Sequence, residues 1–400
     1  MRSEVSKIAI TLFRTFLFCL LFLNAAQAQE IKVGAERFDQ YIGLLRNKHI
    51  AVVANQTSVV GKSHLVDTLL SMNIDIVKVF APEHGFRGKA DAGEHFKDQK
   101  DAKTGLPILS LYGSKKKPTS SELANVDVVL FDIQDVGVRY YTYISTMHYM
   151  LEACAENDID FIVLDRPNPH GFYVDGPVLD LKYQSFVGMH QIPLVHGLTV
   201  GELANMIVGE GWLKNEVTCN LTVITCEHYT HSMHYNIPIA PSPNLPNQRA
   251  VYLYPSLGLF EGTEISVGRG TDFPFQVIGN PDLKVGDYTF TPQPNEGASY
   301  PPFKGIKCNG LDLREKPVGV PEDTHSIYLN WLKVTYDNYE GDTPFFKKNN
   351  FFNLLAGTDQ LRKQIEEGAT IQAIRESWKP QLEAYKKMRK RYLLYPDFEE

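Results

Sequence analysis

The stretch VDVVLFDIQDVGVRYYTY, residues 126–143, decides the fold of this chain. It begins as an almost continuous apolar run, which predicts a strand covered on both faces, as in a parallel sheet. The run ends in three polar residues, Asp132, Gln134 and Asp135, and Gly137 turns the chain after them. In open α/β sheets ligands bind at the carboxyl ends of the strands, so these side chains are candidates for a binding site. The alternative is that an aspartate only caps the next helix.

Strands and helices alternate along the chain on both sides of this stretch. Predicted strands cover residues 49–54, 74–80, 107–113, 159–165 and 221–226, and predicted helices cover residues 62–72, 141–156 and 199–212. The alternation predicts a Rossmann-like α/β fold, in which helices cover both faces of a doubly wound parallel sheet. Thr199 and Glu202 have the spacing of a capping box at the start of the last helix. No G-x-G-x-x-G motif follows the first strand, so a nicotinamide or flavin cofactor is not expected.

A proline-rich segment, PIAPSPNLP at residues 238–246, predicts a rigid linker between two domains. We therefore predict a Rossmann-like domain over residues 29–245 and a smaller α+β domain over residues 246–400. In the second domain, short β-like runs and turns precede a helical region at residues 346–391. We expect the second domain to complete a cleft with the strand ends of the first.

The first 28 residues have the pattern of a secretory signal peptide. Basic residues precede a short apolar core, and Ala26-Gln27-Ala28 is a cleavage site of the A-x-A type. We therefore predict cleavage after Ala28, a periplasmic or secreted mature protein and no membrane span. Removal of this segment takes away three basic residues and one acidic residue, so the formal net charge changes from −7 to −9. This acidic balance argues against nucleic acid as a partner.

Two further motifs bring charged residues to predicted strand ends. The candidates are Glu83, His84 and Arg87 in APEHGFRG, and Asp165, Arg166 and Asn168 in LDRPNP. A carboxylate beside a histidine and an arginine is suited to proton transfer when it is partly buried. The alternatives are a solvated loop glutamate in the first motif and a structural ion pair in the second.

The second half of the chain contributes a glycine-rich motif, FEGTEISVGRGT, with Glu261, Arg269 and Thr271 as candidates. The backbone N–H groups of its GRGT loop, together with Arg269, could bind an anion. The alternative is a tight turn without a ligand. Aromatic residues such as Tyr140 adjoin the strand ends, and carboxylates beside aromatic surfaces suit a sugar. Two carboxyl groups are what glycoside hydrolysis ordinarily requires.

The same carboxylates leave a metal site open as an alternative. Glu83, His84, Asp132 and Asp135 together could hold a divalent ion through oxygen and nitrogen ligands. The chain has no H-E-x-x-H motif, and its cysteines do not have the spacing of a zinc site. We therefore expect neither a metal nor another cofactor.

Seven motifs together resemble the exo-β-N-acetylmuramidases of glycoside hydrolase family 171. They are APEHGFRG, FDIQDVGVRYYTYISTM, LDRPNP, HGLTVGELA, PSPNLP, FEGTEISVGRGT and the C-terminal FFNLLAGTDQL with YLLY. The resemblance implies release of terminal β-N-acetylmuramic acid (MurNAc) from the non-reducing ends of peptidoglycan fragments during cell-wall turnover. It also implies a Rossmann-like catalytic domain, a smaller C-terminal domain, a cleft between them and no organic cofactor.

The resemblance also implies roles for individual residues. Glu83, in the PEHGFRG motif, is the favoured catalytic residue, and we expect it to act as the general acid. The second group stays open among Asp132, Asp135, Glu261 and the acetamido group of the substrate itself. The expected substrate-binding residues are His84, Arg87, Gln134, Arg139, Tyr140, Asp165, Arg166, Asn168, Arg269 and Thr271.

Selectivity for MurNAc over N-acetylglucosamine (GlcNAc) requires a cation, because the two sugars differ by a lactyl ether that carries a carboxylate. We expect Arg269 to bind this carboxylate, with Arg139 as the second choice. The expected ligand is the MurNAc-GlcNAc unit of peptidoglycan fragments, and the oligomeric state stays open. Two other functions also stay open, namely a non-catalytic protein that binds wall fragments and a metal-dependent hydrolase.

Overall fold

A computed structural model of the chain describes residues 30–87, 99–315 and 325–399. The predicted signal peptide, residues 1–28, lies outside the described residues. Within the described ranges no helix is both long enough and apolar enough to cross a membrane.

The first part of the chain is built on a seven-stranded sheet with the strand order β5-β6-β4-β1-β7-β8-β9. These strands, with the small hairpin β2–β3, are β1 Ile50–Ala54, β2 Val59–Val60, β3 Ser63–His64, β4 Ile76–Ala81, β5 Gln99–Lys100, β6 Pro107–Ser110, β7 Val128–Asp132, β8 Asp160–Leu164 and β9 Leu221–Ile224. Neighbouring strands are parallel except for the edge strand β5, which runs antiparallel to β6. The six parallel strands have the Rossmann order, with the reversal between β1 and β7.

The apolar run of β7 is covered on both faces, as its sequence predicts. Val128 and Leu130 belong to one buried apolar cluster, while Val129 and Phe131 belong to another, since successive side chains of a strand point to opposite faces. Four helices contribute to these two layers. They are α1 Phe38–Leu45 and α2 Leu65–Ser71 on the first face, and α3 Tyr143–Glu156 and α4 Val200–Gly209 on the second.

The predicted capping box at the start of α4 is confirmed. The backbone N–H of Glu202 donates to Thr199 Oγ1 at 3.2 Å, and the backbone N–H of Thr199 donates to Glu202 Oε2 at 2.9 Å. Two of the unpaired amides at this helix end are therefore satisfied by side chains.

The C-terminal region combines a small antiparallel sheet with helices. Its strands are β10 Val277–Asn280, β11 Tyr288–Phe290 and β12 Cys308–Asp312, in the order β10-β12-β11. Its helices are α5 Gln248–Leu257, α6 Asn330–Asp337, α7 Phe351–Ala356, α8 Gln360–Glu366 and α9 Ile371–Arg389. Helix α9 packs back on the first part of the chain, where Tyr385 donates to the carbonyl of His196 at 2.7 Å. The last helix therefore fixes the C-terminal region against the α/β layers.

Candidate active site

A cavity of about 660 Å³ lies between the carboxyl ends of the parallel strands and the C-terminal region. Its walls combine two carboxylates, one arginine, one histidine and many aromatic rings. The principal lining residues are Glu83, His84, Tyr112, Tyr140, Tyr141, Thr142, Tyr143, Phe186, Tyr254, Glu261, Arg269, Phe275 and Tyr300. Of the residues predicted from the sequence, five therefore line this cavity: Glu83, His84, Tyr140, Glu261 and Arg269.

Glu83 reaches the cavity from the turn that follows β4. The turn is closed by a hydrogen bond from the Gly85 N–H to the Pro82 carbonyl at 3.1 Å. His84 and Gly85 both have left-handed backbone conformations, with φ of 69° and 77°. Such a conformation is uncommon for a residue other than glycine and occurs often at functional sites. Thr142 Oγ1 donates to Glu83 Oε2 at 3.3 Å, so one oxygen of this carboxyl group has a fixed donor.

Tyr112 is the neighbour of Glu83 that sequence reasoning missed. It follows β6, the strand beside β4 in the sheet. Burial raises the pKa of the Tyr112 hydroxyl, and the Glu83 carboxylate raises that pKa further through its charge and a hydrogen bond. The phenol therefore stays protonated and can serve as a hydrogen-bond donor to Glu83.

The second carboxylate of the cavity belongs to an ion pair. Glu261 lies in the 3₁₀ helix Gly258–Gly262, and Arg269 lies between the left-handed residues Gly268 and Gly270. Arg269 Nη2 donates to Glu261 Oε2 at 2.9 Å. Burial by itself would lower the pKa of Arg269, but the charge of Glu261 and its hydrogen bond outweigh burial and raise that pKa. The arginine is therefore a permanent cation, and its hydrogen bond to Glu261 is a charge-assisted one.

Three tyrosines of the strand end form an aromatic wall. Tyr140 donates to the carbonyls of Tyr254 and Pro255 at 3.0 and 2.8 Å. The hydroxyls of Tyr141 and Tyr143 both donate to the carbonyl of Pro241 at 3.0 Å. Because each hydroxyl is held, the rings are fixed surfaces rather than mobile side chains, and amphipathic rings of this kind suit contact with a sugar.

Asp132 and Arg166 do not line the cavity. Both are buried, and the guanidinium of Arg166 binds the carboxylate of Asp132 through two hydrogen bonds, at 2.6 and 2.9 Å. Arg166 Nη2 also donates to the carbonyl of Val59 at 3.0 Å. This pair joins the ends of the neighbouring strands β7 and β8, which is a structural role.

Asp165 and Asn168 also serve the fold. The Asp165 carboxylate accepts hydrogen bonds from Thr199 Oγ1 at 2.7 Å, from the Gly201 N–H at 2.8 Å and from Tyr395 Oη at 2.6 Å. Burial raises the pKa of Asp165 to about 6 even though these donors oppose that change. Asn168 donates to the carbonyl of Leu198 at 2.8 Å. Both side chains therefore fix the start of α4 rather than face a substrate.

Gln134 and Asp135 lie buried at the reversal point of the sheet, and neither lines the cavity. Gln134 Nε2 donates to the carbonyls of Asp135 and Pro167, each at 2.8 Å. Asp135 Oδ2 accepts from the Gly137 N–H at 2.6 Å, while its Oδ1 has no hydrogen-bond partner among the described residues. Burial raises the pKa of Asp135 to about 7. A carboxyl group in this setting is a poor candidate for a nucleophile, because burial disfavours its charged form.

Arg139 is fully buried and binds backbone carbonyls instead of a carboxylate. Its guanidinium donates to Pro177, Ile192 and Leu355 at 2.8, 2.7 and 3.0 Å. Burial lowers the pKa of Arg139 to about 9. The side chain therefore ties the first part of the chain to α7. This position does not fit the expectation that Arg139 is the second candidate to bind the lactyl carboxylate.

Arg87 and Thr271 are engaged within the protein as well. Arg87 binds the carboxylate of Asp101 through two hydrogen bonds, at 3.0 and 2.8 Å. Thr271 Oγ1 donates to the carbonyl of Gly268 at 2.7 Å, and its backbone N–H donates to the same carbonyl at 3.1 Å. The GRGT motif is therefore a tight turn that presents Arg269 to Glu261.

The residues considered for a metal site are separated. Glu83 and His84 line the cavity, whereas Asp132 binds Arg166 and Asp135 is buried apart from it. No group of three or more histidine, cysteine, aspartate or glutamate side chains that could hold a metal ion occurs in the described ranges. The four cysteines after residue 28 are free thiols in the structure.

Comparison with known proteins identifies relatives over nearly the whole chain. Residues 50–249 match the family Exo-beta-N-acetylmuramidase NamZ, N-terminal, and residues 252–395 match Exo-beta-N-acetylmuramidase NamZ, C-terminal. The chain is 38% identical to the peptidoglycan beta-N-acetylmuramidase NamZ of Bacillus subtilis (strain 168), over 93% of each chain.

Two crystal structures of DUF1343 family proteins from Bacteroides fragilis NCTC 9343 have a similar fold. One is 47% identical, with a TM-score of 0.85 over 92% of this chain and 100% of the other. The second is 30% identical, with a TM-score of 0.74 over 91% of this chain and 99% of the other.

Proposed function

Because the chain belongs to the exo-β-N-acetylmuramidase family, we propose that it releases terminal β-MurNAc from the non-reducing ends of peptidoglycan fragments. The observation that carries this proposal is the meeting of Glu83 and Glu261 in one cavity. Glu83 comes from the α/β region and Glu261 from the C-terminal region. The enclosing aromatic walls are suited to one terminal sugar, as an exo-acting enzyme requires.

Glu83 is the general acid in this proposal. Its carboxyl group receives a hydrogen bond from Thr142 on Oε2, and in its protonated form it has one O–H group to donate. In the reaction that proton passes to the glycosidic oxygen as the bond to the sugar breaks. The tyrosine at position 112 keeps its own proton and fixes the orientation of the carboxyl group.

Glu261 is the second carboxylate. Its ion pair with Arg269 fixes the position of the carboxylate. From there it can stabilise positive charge on the sugar ring and orient a water molecule or the acetamido group of the substrate. Asp132 and Asp135 are less suitable, since the first is neutralised by Arg166 and the second is buried away from the cavity. The placement of the side chains therefore favours Glu261 among the three carboxylates named by the sequence.

The test is the rate of MurNAc release by Glu83→Gln. This change keeps the shape of the side chain and removes its acidic proton. We expect kcat to fall about 100- to 10,000-fold, the usual range for a general acid, with little change in substrate affinity. Glu264→Gln is the matched control, because Glu264 lies near Glu261 in sequence but does not line the cavity. A Glu83→Gln enzyme with nearly the wild-type rate would remove Glu83 from this role.

We also propose that the protein acts outside the cytoplasm, in the periplasm or as a secreted protein. The support is the basic start, apolar core and A-x-A site of residues 1–28. N-terminal sequencing of the protein purified from its native cells tests this directly. The expected first residue is Gln29, and an intact Met1 on the active protein would contradict the proposal.

A further inference from the structure

Three consecutive lysines near the cavity have different surroundings. Lys115 is paired with Glu122, and Lys117 is paired with Glu152 at 2.6 Å. Lys116, between them, makes no ion pair with any residue that the structure describes. The sequence alone suggests an exposed basic loop, but within the described residues only the middle lysine lacks a carboxylate partner.

Lys116 contacts an aromatic ring that lines the cavity. Its ammonium lies 4.4 Å from the centroid of the Phe186 ring, within the range of a cation–π contact. Phe186 is itself fixed, since Ser145 Oγ donates to its carbonyl at 2.7 Å and its ring stacks on Tyr149 with 6.3 Å between centroids. Phe186 and Tyr112 both line the cavity. The cation therefore lies against a ring of the same cavity that Glu83 lines.

Arg269, the arginine that lines the cavity, already has a carboxylate. The guanidinium of Arg269 is bonded to Glu261, so a substrate carboxylate at Arg269 would compete with an acid of the protein. A muramyl substrate differs from a glucosaminyl one by its negative charge. The uncompensated ammonium of Lys116 is the better match for that charge, because an ion pair there displaces no internal partner.

We propose that Lys116, seated on Phe186, recognises a carboxylate of the muramyl substrate, and this inference rests on the proposed function. The carboxylate has two sources. It is the lactyl carboxylate when MurNAc carries no peptide, and it belongs to the stem peptide when the lactyl group is amide-linked. Both sources present the same chemistry to the ammonium.

The test compares substrates that differ only in charge. The nitrophenyl β-glycoside of MurNAc carries the lactyl carboxylate, and its lactamide analogue carries a neutral amide on the same sugar and leaving group. For Lys116→Gln we expect kcat/KM on the charged substrate to fall about five- to tenfold, mainly through KM, for a half-buried ion pair. The lactamide should be hydrolysed at the wild-type rate. Lys116→Arg should retain the preference, and Lys115→Gln is the control for loss of one positive charge nearby.

A peptide-bearing disaccharide forms the third arm and identifies the source of the carboxylate. A loss confined to the peptide-free substrate assigns the lactyl carboxylate, whereas a loss confined to the peptide-bearing substrate assigns the stem peptide. An equal loss of kcat/KM for Lys116→Gln on the charged and the neutral glycoside, or no effect on either charged substrate, would overturn the inference. Absence of wild-type activity on every substrate would instead refute the proposed function.

Discussion

Asp135 provides a test of how burial controls charge beneath the active site. Its pKa is raised from the ordinary value of 3.8 to about 7 by burial, and its Oδ1 has no partner among the described residues. Between those two pH values the folded chain binds more protons at this site than the unfolded chain. The stability due to this group is therefore present below pH 3.8 and is lost as the pH rises towards 7.

The substitution Asp135→Asn removes this dependence while it keeps an acceptor for the Gly137 N–H. A tenfold change in proton affinity corresponds to about 1.4 kcal/mol. The rise in the pKa of Asp135 from 3.8 to about 7 therefore corresponds to a loss of about 4 kcal/mol in the free energy of unfolding at high pH. More than half of that, about 3 kcal/mol, falls between pH 5 and pH 8. The difference in free energy of unfolding, variant minus wild type, should increase by this amount over the interval.

Urea unfolding of both proteins at pH 5 and pH 8 measures this difference. Asp132→Asn is the control, because it removes a buried carboxylate that has a bound arginine and should destabilise the protein at both pH values. If the difference for Asp135→Asn is the same at the two pH values, or falls as the pH rises, the reasoning about its buried carboxyl group is wrong.

Three further predictions concern the other charged groups. Arg166→Met leaves Asp132 buried without its cation and should lower the free energy of unfolding by about 3–5 kcal/mol, measured from the urea midpoint. Arg269→Ala removes the partner of Glu261 and should lower kcat/KM about 10- to 100-fold, equally on the charged MurNAc glycoside and its lactamide. A loss confined to the charged substrate would indicate that Arg269 binds the substrate carboxylate. Dialysis against a chelator should leave kcat unchanged, because Asp132, a ligand in the metal alternative, is already bound by Arg166; a loss restored by a divalent ion would favour that alternative.

The fold could be predicted largely from local patterns. The apolar run of β7 and the alternation of strands and helices are properties of the sequence itself, and they led to the parallel sheet. The capping box of Thr199 and Glu202 is equally local, and the structure contains it. The ends of elements were less predictable, since the helix expected over residues 199–212 ends at Gly209.

The site was predictable only in part, because a sequence does not show which carboxylate has an internal partner. Glu83 and Asp132 both lie at the carboxyl ends of buried strands, but Arg166, just after the neighbouring strand β8, binds Asp132 and not Glu83. Arg139 resembles a binding residue by its position after β7, yet the structure surrounds it with backbone carbonyls. Such pairings depend on strand order and on contacts between residues far apart in sequence.

One further lining residue, Tyr112, can be predicted from its place at the end of a strand. Tyr112 stands at the end of a predicted strand, so attention to polar and aromatic residues at every strand end would have included it. Tyr254 lies within α5, Phe275 and Tyr300 lie in loops of the C-terminal region, and no motif identifies these three. Only the folded structure shows that these residues line the cavity, because the cavity forms where the C-terminal region packs against the strand ends.

The most direct test of the central claim is the order of products from a defined glycan. The tetrasaccharide MurNAc-GlcNAc-MurNAc-GlcNAc, labelled at its reducing end, is incubated with the purified protein and sampled by mass spectrometry. Free MurNAc and a labelled trisaccharide beginning with GlcNAc should appear first, and Glu83→Gln should nearly abolish both. Early appearance of labelled disaccharide would show cleavage inside the glycan, and the absence of any product would show no glycosidase activity on it; either result would contradict the proposed function.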